Sequence, residues 1–331
     1  MSLALCETLF TIHFLLDICF FPPTTPLLLE ITFTMSTADD SNMLMCAACG
    51  KDGDALKTCI ACKLVKYCNT TCQKAHRSKH KKECKKRAAE LHDEVLFKEP
   101  PPRDECPICM LPLPTIPKER KYQACCGKIL CYGCIHAAHI ADDRLICPFC
   151  RSPECTSEEE CMERIKKRAD GGDSIAMHQL GCYYRDGKRG LPQDNEMAME
   201  LWLRAVELGY VTSYYSIACA YYHGEGVERD EKKTSHYEEL AAMGGHVLAR
   251  HNLGCMEKDA GNMSRAVKHW MISAGAGHDE SQMCIQHCFM AGHATKEDFE
   301  KALRAHKAAN DEMKSDQRET AAAHLKRFGR L

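Results

Sequence analysis

Eight side chains of the kind that hold zinc fall in a fixed order between residues 46 and 84: Cys46, Cys49, Cys59, Cys62, Cys68, Cys72, His80 and Cys84. A second set of eight, Cys106, Cys109, Cys125, Cys126, Cys131, Cys134, Cys147 and Cys150, ends at residue 150. Two residues between paired cysteines let both thiolates turn back on one ion at about 2.3 Å, the tetrahedral geometry of structural zinc. The first set therefore calls for two Zn2+ and the second for up to two. A disulfide framework is the competing use of paired cysteines, and it belongs to small secreted chains. A chain of 331 residues with CxxC pairs and an in-line histidine does not fit that class.

The string Tyr67-Cys68-Asn69-Thr70-Thr71-Cys72-Gln73-Lys74, with the ending His80-Lys81-Lys82-Glu83-Cys84, resembles the MYND zinc finger over residues 46–84. The resemblance implies an interleaved pairing. Cys46, Cys49, Cys68 and Cys72 would hold one zinc; Cys59, Cys62, His80 and Cys84 would hold the other. Arg77 stands where family members often carry Trp, so the family's binding of PxLxP-type peptides is not carried over. His76 lies four residues before His80 on a helix expected from Thr71 to about Leu91, and is expected to be a solvated surface residue.

Residues 85–105 read as the end of that helix and a charged, proline-broken linker. The second set, over residues 106–151, resembles a RING finger. In that family the first and third pairs share one zinc, here Cys106, Cys109, Cys131 and Cys134. The second and fourth share the other, here Cys125, Cys126, Cys147 and Cys150. The family's Cys-x-His step is replaced by Cys125-Cys126-Gly127-Lys128, and a lysine ammonium does not ligate zinc without losing its proton. Either both adjacent cysteines bind, with a strained backbone between them, or one site is incomplete. RING fingers carry no catalytic side chain of their own; they hold a charged ubiquitin-conjugating enzyme. By resemblance, Ile108 and Pro148 would supply apolar contacts to it, and Arg151 would donate forked hydrogen bonds. The alternative is that Ile108 and Pro148 only pack the zinc loops and Arg151 is a solvated charge.

The elements that must carry these modules change at about Ser157, after which CxxC pairs stop and Ala, Leu, Tyr and Gly recur. Segments beginning at Ala176, Ser213 and Ala249 align with one another, each a short helix, a turn and a second helix carrying Trp202, Tyr237 or Trp270. Gly181, Ala205 and Gly254 sit where helices must approach closely. The pattern resembles the Sel-1-like repeat, a relative of the tetratricopeptide helix pair that stacks into a solenoid. Repeats are expected over 157–310, with a degenerate fourth copy closed by a helix from Glu297 to Met313 behind a capping box at Thr295. Residues 311–331 read as a basic C-terminal tail. Cys182, Cys219, Cys255, Cys284 and Cys288 lack ligand spacing and are expected as small buried residues. His178, His251 and His269 are likewise expected not to bind metal.

The expected fold is multidomain: two small zinc-stabilised modules, MYND and RING-like, followed by an all-α helical repeat solenoid. With 44 basic and 46 acidic side chains, the chain as a whole argues against general nucleic-acid binding. A local exception is the run from Lys79 to Arg87, a phosphate-contacting face, a nuclear-import signal or a solvated helix face. So many reduced thiolates suit cytoplasm or nucleus. Residues 1–45 form an apolar N-terminal extension, in which 1–34 lack any Lys or Arg and are interrupted by Glu7, His13 and Asp17. They lack the basic start of a signal peptide and the length of a membrane span, so Met35 is the expected initiator, with a targeting segment or weak anchor over 1–34 as the alternative. No phosphate loop, paired catalytic carboxylates or SET methyltransferase motif appears. The expected function is zinc-dependent protein binding, with a client on the repeats and a ubiquitin-conjugating enzyme on the RING-like module. The rival is a scaffold with no transfer activity.

Overall fold

The computed structural model describes residues 45–53, 55–141 and 145–327. The expected extension over 1–45 thus lies outside the described residues, apart from Met45 at its end. Two bodies divide between Lys98 and Glu99. Among the described residues no helix is long and apolar enough to cross a membrane.

In the first body β1 (Lys57–Thr58) pairs antiparallel with β2 (Lys66–Tyr67), and the chain then enters α1 (Thr70–Leu96). Asn69 starts the helix by accepting the Cys72 backbone N–H at 2.9 Å. The helix runs past the expected Leu91 because Ala88 and Ala89 favour it and Arg87 pairs with Glu90 at 3.2 Å and Glu94 at 2.9 Å. The interior of this body is small: Cys46, Cys59, Cys62 and Tyr67 form its buried cluster, and Leu96 near the end of the helix is buried too. Such a core does not offset the chain entropy of about 50 ordered residues, so metal has to supply the difference.

The second body opens with β3 (Arg120–Gln123), paired antiparallel to β4 (Lys128–Cys131) with Tyr122 opposite Ile129. Next come α2 (Tyr132–Ala141) and α3 (Glu158–Asp170). Four helix pairs follow: α4 (Ser174–Asp186) with α5 (Asn195–Glu207), α6 (Thr212–His223) with α7 (Glu231–Met243), α8 (Val247–Asp259) with α9 (Met263–Gly275), and α10 (Asp279–Met290) with α11 (Lys296–Met313). Asp173, Asp194 and Asp230 cap α4, α5 and α7, and the expected capping box at Thr295 is present with Asp298 as its partner. Gly187 ends α4 at φ 60 and Gly224 ends α6 at φ 74, conformations other residues adopt only at a cost.

Within the pairs a small residue on the first helix faces an aromatic ring on the second. A Cβ on Gly181 would lie 2.6 Å from Trp202 Nε1, and one on Gly254 would lie 2.4 Å from Trp270 Nε1. Each indole N–H donates to a carbonyl one turn before that glycine, Trp202 to His178 at 3.3 Å and Trp270 to His251 at 3.2 Å. Cys182, Cys219, Cys255 and Cys288 are buried as expected, and Cys284 is half-buried. His178 Nδ1 shares a hydrogen bond with Ser213 Oγ at 2.9 Å and His251 Nδ1 one with Ser281 Oγ at 2.8 Å, so both histidines link successive repeats.

Of the expected tail over 311–331, the described residues 311–327 are helical for most of their length. Helix α11 continues to Met313, and α12 (Asp316–Arg327) folds back on α2, with Ala321 and Leu325 buried one turn apart. Its Arg318 backbone lies against Gly133, where an added Cβ would come within 3.0 Å, and the His324 and His136 rings are 4.5 Å apart. The linker is also more than a spacer. Arg103 pairs with Glu312 at 3.2 Å, and a Cβ on Gly245 would meet Pro101 at 3.4 Å.

The glycine–indole contacts carry a signed prediction. An exposed helical Gly→Ala substitution stabilises by about 0.5–1 kcal/mol, whereas overpacking a filled core costs about 1–3 kcal/mol. Gly254→Ala should therefore lower the melting temperature, while Gly275→Ala, in the last turn of α9 with only Ala305 Cβ nearby at 3.8 Å, should not. Thermal unfolding by circular dichroism measures both.

Candidate metal centres

The sixteen expected ligands assemble into four sets. Cys46, Cys49, Cys68 and Cys72 form the first; Cys59, Cys62, His80 and Cys84 the second; Cys106, Cys109, Cys131 and Cys134 the third; Cys125, Cys126, Cys147 and Cys150 the fourth. Within each set the ligand atoms all lie within 4.8 Å of one another. Both modules are thus interleaved in the order implied by the family resemblances.

Four of the sulfur separations fit a tetrahedral ion, while Cys49 to Cys68 at 3.3 Å and Cys125 to Cys150 at 3.4 Å are closer. Zinc–sulfur bonds of about 2.3 Å place sulfurs about 3.8 Å apart along a tetrahedron edge. Cys59 and Cys84 are 3.8 Å apart, Cys109 and Cys131 3.8 Å, Cys106 and Cys134 3.9 Å, and Cys126 and Cys147 3.9 Å. Cys62 Sγ lies 3.2 Å from His80 Nε2, so that ring nitrogen faces the second set. None of these pairs is at bonding distance for a disulfide. Cys155 and Cys161, outside all four sets, are bonded to each other.

The same local turn builds four of the five CxxC loops. The backbone N–H of the residue after the second cysteine donates to the carbonyl of the first: Gly50 to Cys46 at 2.9 Å, Lys63 to Cys59 at 2.9 Å, Met110 to Cys106 at 2.8 Å and Arg151 to Cys147 at 2.8 Å. That residue sits in the left-handed region each time, at φ 72, 58, 56 and 61 respectively. Glycine accepts this freely, but Lys63, Met110 and Arg151 each cost about 1–2 kcal/mol. Structural zinc contributes about 10–16 kcal/mol of apparent binding free energy, enough to hold all three. The third pair, Cys131 and Cys134, is presented at the start of α2 instead.

The thiols show why a cation is needed. A hydrogen bond with Cys131 brings Cys106 down to about 4, and the same bond pushes Cys131 up. Burial and Cys150 push Cys125 up, while Cys150, though burial opposes it, is brought to about 6 by hydrogen bonds with Ser152. One thiolate in a set is stabilised by protons on its neighbours, so four ionise together only around positive charge.

Residues 46–84 match the MYND finger. That finger is a zinc-binding domain. Residues 174–210 and 211–246 match the Sel1 repeat. The chain is 31% identical over 116 residues to the ERAD-associated E3 ubiquitin-protein ligase component HRD3B of Arabidopsis thaliana, covering 34% of this chain and 18% of that protein. It is 27% identical over 125 residues to chitin synthase regulatory factor 4 of Schizosaccharomyces pombe, covering 38% and 20%. The chain thus spans about a fifth of the length of these curated relatives. Similar solved structures include a protective antigen of uropathogenic Escherichia coli displaying an SLR fold, at 27% identity and TM-score 0.39 over 46% of this chain and 33% of that one. Another is a Sel1 repeat protein from Oxalobacter formigenes, at 23% identity and TM-score 0.41 over 46% and 64%.

Two expectations at the sites need correction. His76 is not solvated: it is half-buried, stacks on His80 with centroids 5.7 Å apart, and its Nδ1 is hydrogen-bonded to Tyr67 Oη at 3.1 Å. It stays outside the ligand set because its ring braces Tyr67. Nor is the Cys125–Cys126 step the strained point. Neither cysteine has positive φ; Gly127 takes that conformation, at φ 72, after the Cys126 and Gly127 N–H groups both donate to Gln123 O. No side chain fits at Gly127, since a Cβ would lie 2.6 Å from Arg168 and 2.7 Å from Asp173.

Those two residues fasten the fourth set to the repeats. Arg168 Nε donates to Ala124 O at 2.7 Å and Arg168 Nη2 to Cys125 O at 3.3 Å. Asp173, the cap of α4, also accepts from Tyr122 Oη at 2.7 Å and Arg168 at 3.1 Å. The third set has its own distant anchor in Arg318, which donates to Pro112 O at 2.7 Å, Leu111 O at 3.3 Å and Cys109 Sγ at 3.4 Å. Sequence reasoning missed both arginines, because neither is near a cysteine in the chain.

Native mass spectrometry of the zinc-loaded protein is expected to show four ions. Cys125→Ser and Cys126→Ser should each lower the count to three. A count of four retained by either variant would remove that cysteine from the ligand set.

Proposed function

We propose that this protein is a protein-interaction adaptor that brings a client on its helical repeats to a ubiquitin-conjugating enzyme on its second cysteine module. The adaptor part rests on the MYND finger and Sel1 repeats, which are interaction modules. The ubiquitin part rests on one observation in the second module. Its two outward CxxC loops expose apolar side chains, Ile108 at 40%, Met110 at 63% and Phe149 at 43%, with Leu145 at 63% beside the second loop. A folded domain exposes isolated apolar residues routinely, but this module concentrates them on its metal loops.

The three residues expected to make the contact differ in exposure. Ile108 is exposed at the tip of its loop, Pro148 is half-buried, and Arg151 is exposed with no ion-pair partner among the described residues. Arg151 is held at φ 61 by the Cys147 carbonyl, so its guanidinium starts from a fixed backbone. Such a module does no covalent chemistry. It would orient the thioester carried by the conjugating enzyme, while zinc keeps the docking loops rigid. The name of the Arabidopsis relative, a component of a ubiquitin ligase, supports this reading. Fifteen zinc-ligand thiolates suit a reducing compartment, so we infer cytoplasm or nucleus, where the Cys155–Cys161 bond would stand reduced.

The scaffold reading is favoured by a different observation: Arg168, Asp173 and Tyr122 weld this module into the repeat core. Discharge of ubiquitin from charged conjugating enzymes onto free lysine separates the two. Acceleration by the purified protein, reduced at least about tenfold by Ile108→Ala at unchanged zinc content, is the expected result. No acceleration across a panel of conjugating enzymes would leave the scaffold.

A further inference from the structure

Residues 74–87 carry eight Lys and Arg against one Glu, in a chain that is otherwise close to neutral. The structure places all of them on α1. Lys86 lies 3.9 Å from Glu90, and Arg87 pairs with Glu90 and Glu94. The other six, Lys74, Arg77, Lys79, Lys81, Lys82 and Lys85, are exposed and make no ion pair among the described residues. Glu83, one turn after Lys79, is the one carboxylate among them and pairs with none of the six among the described residues.

Their arrangement follows from the metal sites. Cys72, His76, His80 and Cys84 recur every four residues and form the stripe turned toward the metal-bearing loops. At about 100° per residue, Lys74, Lys81 and Lys85 fall on the opposite side, with Arg77 and Lys82 flanking them. The cations thus form a row about 16 Å long on a helix fixed by its zinc ligands. The entropy of ordering that row is spent on zinc binding and is not charged to a partner.

We propose that this face of α1 binds the phosphate backbone of nucleic acid without reading its sequence. A duplex presents one negative charge per about 1.7 Å of axis, so a rigid cationic row of this length meets several phosphates at once. A membrane surface fits less well: a helix lying in the interface needs an apolar face, and Leu96 is the one buried residue of α1 while the side opposite the cations is taken by metal ligands. The near-neutral whole-chain charge is no obstacle, because counterion release depends on the local row.

The test is fluorescence anisotropy of the full zinc-loaded chain with a labelled duplex of about 20 base pairs at about 50–200 mM salt. Binding that weakens with salt, at a log–log slope of about −3 to −5, is expected. The triple variant Lys74→Gln/Lys81→Gln/Lys85→Gln should weaken it at least about tenfold at the lowest salt and flatten the slope by about 2–3. An equally large charge change on α11, Lys296→Gln/Lys301→Gln/Lys307→Gln, should leave it unchanged, and zinc content should be equal in all three proteins. Absence of duplex binding at the lowest salt, equal loss in both triple variants, or binding to phosphatidylserine vesicles in place of the duplex would each overturn the proposal.

Discussion

Four soft ligands brought within 4.8 Å of one another repel as thiolates and are of little use as thiols; only a cation at their centre makes the arrangement favourable. Everything else in the N-terminal half follows from that constraint. The strands β1 to β4 are two to four residues long, and such hairpins are not stable alone in water. Three non-glycine residues are held in left-handed backbone, and the first body has barely a core. Domain stability is about 5–15 kcal/mol in total, so a zinc ion contributing about 10 kcal/mol or more decides whether these loops have a structure at all.

The two modules use the metal differently. In the first, the ligand stripe of α1 packs on loops that bury little else, and the helix is left as a cationic rod. In the second, the cysteines themselves are core residues. Cys106, Cys131, Cys134 and Cys147 are buried in the same apolar cluster as Ile175, Ala176, Leu180 and Tyr210 of the repeats. Arg168 and Arg318 then tie it from both ends, one from the helix before the first repeat and one from the helix after the last. The edge of the array that the module covers is therefore buried against it.

What was legible in the sequence was local. CxxC spacing, the His80 ending and the Thr295 capping box involve residues a few positions apart, and all are found where expected. The small residues Gly181 and Gly254 and the recurring Trp202 and Trp270 were legible through repetition; that each glycine meets one of the indoles was not. What was not legible depends on residues far apart in the chain. The 311–331 segment reads as a basic tail because Ala321 and Leu325 give it a weak apolar stripe; Asp316–Arg327 become a helix by packing on α2. The Cys125-Cys126-Gly127 step looks like a defect until Arg168 and Asp173 occupy the space a side chain would need. His76 looked solvated because nothing in its neighbourhood announced Tyr67.

The central claim is that metal, second cysteine module and repeats form one cooperative unit closed by the last helix. Hydrogen–deuterium exchange of the intact protein before and after zinc removal tests it most directly. The account predicts that stripping zinc removes protection from residues 106–151 and, together with them, from the start of α4 and from α12. If α4 and α12 keep their protection while residues 106–151 lose theirs, the module is only attached to the repeats and the claim is wrong.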